Sequence, residues 1–175
     1  MSGKGRIADT FRTKSGPPPL SQDELVEIAT LAMLIKNCFD PQWVSDWSGQ
    51  LFLGLIQALP KASIAAFLDV MHEMHDNEVL DFDNLRQRRV VLVFTGTMPR
   101  YSGEVSEADL LRMARMLSWK DFLVRIPAVE IATLIARSGT AVLVPHLERA
   151  LAIADPNRDD GVYITQAISA CRSRP

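Results

Sequence analysis

Apolar positions recur at spacings of three and four through residues 21–76, the period of a helix that buries one face. Leu25, Ile28, Leu31, Ala32 and Ile35 predict the buried stripe of a first helix that runs to about Asn37. Val26, Ala29, Met33 and Leu34 widen the stripe, so this helix is expected to be covered on several sides. Ser21-Gln-Asp-Glu24 supplies its start: a serine oxygen for an orphan N–H and a carboxylate three residues on to reach back. Asp40-Pro41 restarts the chain as a cap followed by a first-turn proline. The second helix then reaches about Leu59, with Trp43, Trp47, Phe52, Leu55, Ile56 and Leu59 largely on one face. Pro60 opens a third, to about His75, on Ile64, Phe67, Leu68, Met71 and Met74. Three helices joined by short breaks predict an all-α segment.

The pattern then changes. Asn77 to Arg89 is polar and mixed, and Val90-Val-Leu-Val-Phe94 is a β-branched and aromatic run ending in Thr95-Gly96-Thr-Met-Pro99. This reads as a buried strand entering a glycine turn. Ser106-Glu-Ala-Asp109 caps a helix with Leu110, Leu111, Met113, Ala114 and Leu117 inside. Phe122 to Ile126 and Glu130 to Ala136 are short strand candidates, the second ambiguous with helix, and Pro145 to Ile153 reads as a helix. Asp155 to Gly161 is a loop, Val162 to Ile164 a short strand, and Thr165 caps a last helix to about Arg172. Alternating strands and helices predict an α/β module with a short, mostly parallel sheet, so the expected class is α+β or α/β, an all-α segment followed by that module.

Leu92-Val-Phe-Thr-Gly-Thr-Met-Pro99 resembles the first strand and turn of BRCT domains in NAD-dependent DNA ligases. Ala132-Thr-Leu-Ile-Ala136, His146-Leu-Glu-Arg-Ala150 and Gly161-Val-Tyr-Ile-Thr-Gln-Ala-Ile168 fall at compatible spacings, so residues 88–172 resemble a BRCT domain as a whole. The resemblance implies a four-stranded parallel sheet and a protein-contact role in a DNA repair or replication setting. Phosphopeptide-binding members grip phosphate with a Ser or Thr, the next backbone N–H and a lysine. Thr95 and Gly96 stand in the first two places, and His146 stands in the lysine's. The organisation expected is a disordered basic arm at 1–20, a helical domain at 21–80 and the BRCT-like domain at 86–175.

Charge sharpens this division. The net charge of −2 conceals +3 over residues 1–22, −9 over 23–83 and +4 over 84–175. Lys4, Arg6, Arg12 and Lys14 of the arm are candidates to meet nucleic acid, an anionic surface or the acidic block of a neighbouring subunit. Arg86, Arg88 and Arg89 before the expected strand, and Arg100 after it, are candidates to meet phosphates at one end of the sheet. The 175 residues, 47% of them hydrophobic, suffice for one ordinary core or two small ones. Two cysteines, Cys38 and Cys171, make no disulfide framework, and no signal peptide or membrane-spanning run is evident, so a reducing cytoplasmic or otherwise intracellular setting is expected.

Candidate chemistry is sparse. His72-Glu-Met-His75, with Asp69 and Asp76, is the most metal-like cluster, but its histidines are spaced i, i+3 where the zincin motif needs i, i+4. Asp155-Pro-Asn-Arg-Asp-Asp-Gly161 approaches a calcium loop with its glycine one place late and Gln166 in the position of the closing glutamate. No cofactor and no catalytic constellation is expected. The reading is a non-enzymatic protein-interaction or assembly module that meets a protein partner or itself, with nucleic acid as a further partner and no membrane. The alternative is a phage or viral shell or nucleocapsid subunit that assembles through helical surfaces and the basic arm.

Overall fold

A computed structural model describes residues 21–39, 54, 57–98, 100 and 105–174. The expected second helix, with Trp43 and Trp47, lies mostly outside the described residues, as does the arm at 1–20. Among the described residues every regular element is helical. In chain order these are α1 (Gln22–Phe39), α2 (Pro60–Asp76), α3 (Leu85–Thr97), α4 (Glu107–Met116), α5 (Phe122–Arg125), α6 (Val129–Ser138), a 3₁₀ turn (Ala141–Leu143), α7 (Val144–Ile153) and α8 (Asp160–Arg172).

The predicted starts of α1, α2 and α4 hold. The Ser21 N–H donates to Glu24 Oε2 at 2.8 Å and the Glu24 N–H to Ser21 Oγ at 3.2 Å, the reciprocal capping box. Pro60 is the first residue of α2, where its missing N–H costs nothing. Ser106 Oγ accepts the Asp109 N–H at 3.1 Å.

The α/β module does not exist: no strand is present among the described residues, and this overturns both the expected fold class and the BRCT resemblance. Val90–Phe94 lies inside α3. The physical reason stands upstream, in the polar stretch before the run. Asn84 Oδ1 accepts the N–H groups of Arg86 (3.0 Å) and Gln87 (3.3 Å), which starts a helix before the β-branched residues are reached. Val90, Val91 and Phe94 then face the core at i, i+1 and i+4 while Leu92 is exposed. The weak β preference of valine yields to that tertiary fit. Phe122–Arg125 and Val129–Ser138 are likewise helices, and Val162–Ile164 sits inside α8.

The buried side chains, from Leu31 to Cys171, form one hydrophobic cluster. α1 lies along α2 and turns Leu31, Ile35, Cys38 and Phe39 inward. Phe67 of α2 stacks on Phe94 of α3 with ring centroids 3.5 Å apart, and Phe39 tilts against Phe67 at 6.4 Å. α4 packs on α2, α6 and α7. α6 and α8 pack together and run parallel, for Asp160 at the start of α8 reaches Ala128 at the start of α6, and Cys171 at its end reaches Ile135. Gly139 closes α6 where space is shortest; a Cβ there would lie 2.6 Å from Leu143 Cδ1 and 2.8 Å from the Ile135 carbonyl oxygen. Among the described residues no helix is long and apolar enough to cross a membrane.

Candidate interaction surface

α1 differs from the other helices in what it leaves outside. Its inward face is closed, with Ile35 fully buried, yet Leu25, Val26 and Met33 are 47%, 56% and 61% exposed. Ala29 and Thr30 between them are also exposed. Positions 26, 29 and 33 fall one above another on a helix, so these side chains make a continuous apolar stripe on the side away from the core. The breadth of apolar positions read from the sequence is therefore real, but the described residues cover only one side of α1.

Beside the stripe, the first turns of α1 and the start of α2 enclose a hollow of about 320 Å³ lined by Glu24, Glu27, Ile28, Leu59, Pro60 and Ala62. Lys61 and Glu24 pair across its rim at 3.6 Å, and Lys36 pairs with Glu73 further along the two helices. Both pairs are largely exposed, so solvent and salt screen them and neither holds the two helices together. The groove thus has an apolar floor and an acidic lip at Glu27.

A second hollow, of about 400 Å³, lies between the end of α2 and the turn before α5, lined by His75, Glu78, Asp81, Asp83, Lys120 and Asp121. Glu78 and Asp121 hold left-handed backbone (φ 56° and 66°). His75, which lines this hollow, stacks on Trp119 with centroids 4.1 Å apart, and His72 meets the same indole edge-on at 4.9 Å. His72 Nε2 donates to the Arg112 carbonyl oxygen at 3.3 Å, and Asp69 pairs with the Arg112 guanidinium. The histidines and Asp69 are thereby committed to packing and pairing, and among the described residues no group of three metal-ligating side chains converges.

The other candidate residues separate. Thr95 is 2% exposed and donates to the Leu92 carbonyl at 3.2 Å, as a helical threonine does. Gly96 is an exposed helical position, not a turn. His146 stands on α7, which packs on α4 and α8, whereas α3 packs on α1 and α6. The phosphate grip implied by the resemblance is absent because the strand-turn that was to build it is a helix. Arg88 is half-buried on α3, Arg89 is exposed there, and Arg100 is exposed beyond its end. Lys4, Arg6, Arg12 and Lys14 lie outside the described residues.

The Asp155–Gly161 loop is a clamp. Asp155 Oδ1 accepts the Asn157 N–H at 2.8 Å and sets the turn. Arg158 Nη1 then donates to the carbonyls of Leu123 and Val124 at the end of α5, while Asp160 caps α6. Sequence reading missed this role, because a loop's tertiary targets leave no local signal. It missed Trp119 as well, which stands in a segment without periodicity. Comparison with protein-family models, with curated proteins and with solved structures yields no match to this chain.

Proposed function

We propose that the chain is a binding and assembly protein that associates with a second copy of itself through the outer face of α1. The observation that carries this reading is the exposed stripe of Leu25, Val26 and Met33 on a helix whose inner face is already filled. Soluble folds seldom leave a continuous apolar stripe on a helix without an occupant. The stripe is also close to self-complementary. Val26 and Met33 stand one turn to either side of Ala29 and Thr30, the smaller residues at its centre. An antiparallel two-fold pairing sets each Val26 beside the other copy's Met33 and brings the backbones close at Ala29.

A nitroxide at Met33→Cys tests the contact directly. Cys38 and Cys171 are 1% and 0% exposed, so the introduced thiol is the accessible one among the described cysteines. Dipolar broadening that grows with concentration and vanishes on dilution with unlabelled protein is the expected result. A sharp, exposed-label spectrum at every concentration overturns the reading. The narrower reading, a phage or viral shell or nucleocapsid subunit, rests on the basic arm and the acidic block. It calls for oligomers that weaken in salt, whereas an apolar stripe calls for oligomers that persist or strengthen.

A further inference from the structure

Sulfur is divided unevenly between the inside and the outside of this protein. Cys38 and Cys171 are buried, and so are Met71, Met74, Met98, Met113 and Met116. Met33 is largely exposed, and its thioether is the one sulfur open to solvent among the described residues. It stands on the outer stripe of α1, one helical turn beyond Ala29 and two beyond Val26. An unbranched thioether fills an uneven apolar contact well, and its sulfur is also the atom of that side chain most open to oxidation.

A hydroperoxide is the class of oxidant that suits an exposed thioether. A sulfur lone pair attacks the outer oxygen of the peroxide. The O–O bond breaks, an S–O bond forms, and the hydroperoxide proton ends on the departing oxygen, which leaves as an alcohol, or as water from hydrogen peroxide. Sulfur loses two electrons and the peroxide gains them. The sulfoxide that results is polar and accepts hydrogen bonds. In the two-fold pairing of α1 each Met33 lies beside the other copy's Val26, whose hydrocarbon offers no donor. The hydroxyl of Thr30, at the centre of the stripe, already donates to the Val26 carbonyl at 2.8 Å. The new oxygen is therefore hydrated in the monomer and unpaired in the dimer.

We propose that Met33 is an oxidation site and that its sulfoxide releases the α1 pairing, so that hydroperoxide controls association. The inference rests on the α1 reading above and adds its regulation. The coupling is mutual, because the pairing covers the sulfur that oxidation needs. Oxidation of Met33 is therefore expected to slow as protein concentration rises and dimer replaces monomer. The test treats the full chain with dilute hydrogen peroxide. Mass spectrometry of the Met33 peptide follows the gain of one oxygen, and sedimentation follows association before and after.

Met33 is expected to take up oxygen at least about tenfold faster than the five buried methionines, and the dissociation constant of the oxidised protein to rise at least about tenfold. Met33→Leu keeps the apolar volume and has no sulfur at this position, so its dimer is expected to form as before and to ignore peroxide. A chain that is monomeric before peroxide is added overturns the α1 reading and this inference together. A dimer that survives full oxidation of Met33 overturns this inference alone. So does a dimer that peroxide disrupts equally in Met33→Leu, and so does oxidation of Met33 no faster than that of the buried methionines.

Discussion

Asp160 Oδ1 accepts the backbone N–H of Ala128 at 2.6 Å, and its other oxygen lies 3.0 Å from Arg158 Nε, with the carboxylate 3% exposed. One aspartate thus caps α6 from the first residue of α8, while Arg158 two residues earlier holds the end of α5. At the other end of the same pair, Arg174 donates to the carbonyls of Ala136 and Arg137, and its own carbonyl accepts the Ala141 N–H at 3.1 Å. Acid at the start of α6 and base at its end both complement the helix dipole. Asp160→Ala removes a buried cap and strands Arg158, which is 31% exposed and recovers some hydration. The expected cost is about 2–4 kcal/mol by urea unfolding, with Asp160→Asn costing less because an oxygen remains to accept the Ala128 N–H. An unchanged urea midpoint in Asp160→Ala would show that the clamp contributes nothing.

Gly96 decides between the turn read from the sequence and the helix found. A Cβ there meets nothing within 4 Å, and the position is helical and exposed. Gly96→Ala is therefore expected to stabilise the protein by about 0.5–1 kcal/mol, through the smaller backbone entropy lost on folding. A glycine turn after a strand would make the same substitution destabilising, so the sign of the change in thermal midpoint separates the two.

Two partly buried histidines, His72 and His146, make stability depend on pH. Burial lowers the His72 pKa below 6.5, and the guanidinium of Arg112 and the neighbouring His75 push the same way, against the Arg112 carbonyl and Asp76. The unfolded chain thus takes up its proton at a higher pH than the folded chain. Stability from this ring is whole above pH 6.5 and is lost as pH falls below it, until the folded ring protonates too. His146 acts in the same direction. The urea midpoint is expected to fall between about pH 7.5 and about pH 5.5, with a shallower slope in His72→Gln. A slope unaltered in that variant would place the proton uptake elsewhere.

What was legible in the sequence was what local chemistry determines. Ser21 and Glu24, Pro60, and Ser106 mark helix starts because their partners lie within one turn. The five apolar residues Val90–Phe94 suit a buried strand or a buried helix equally, and the deciding cap at Asn84 sits in a stretch that reads as loop. Of the candidate surface, the excess of apolar positions on α1 was visible, but not that one side stays open.

Burial of Leu25, Val26 and Met33 from about half-exposed contributes roughly 1 kcal/mol each, or about 6 kcal/mol from two copies, against at least about 4 kcal/mol lost on association. The stripe therefore supports a weak dimer that forms with concentration. Sedimentation equilibrium from about 5 µM to about 1 mM tests this most directly. The expected result is a reversible monomer–dimer transition that is kept in high salt and abolished by Val26→Glu with Met33→Glu, two exposed changes that leave the helical signal intact. A monomer throughout that range, or a dimer indifferent to the paired substitution, would contradict it.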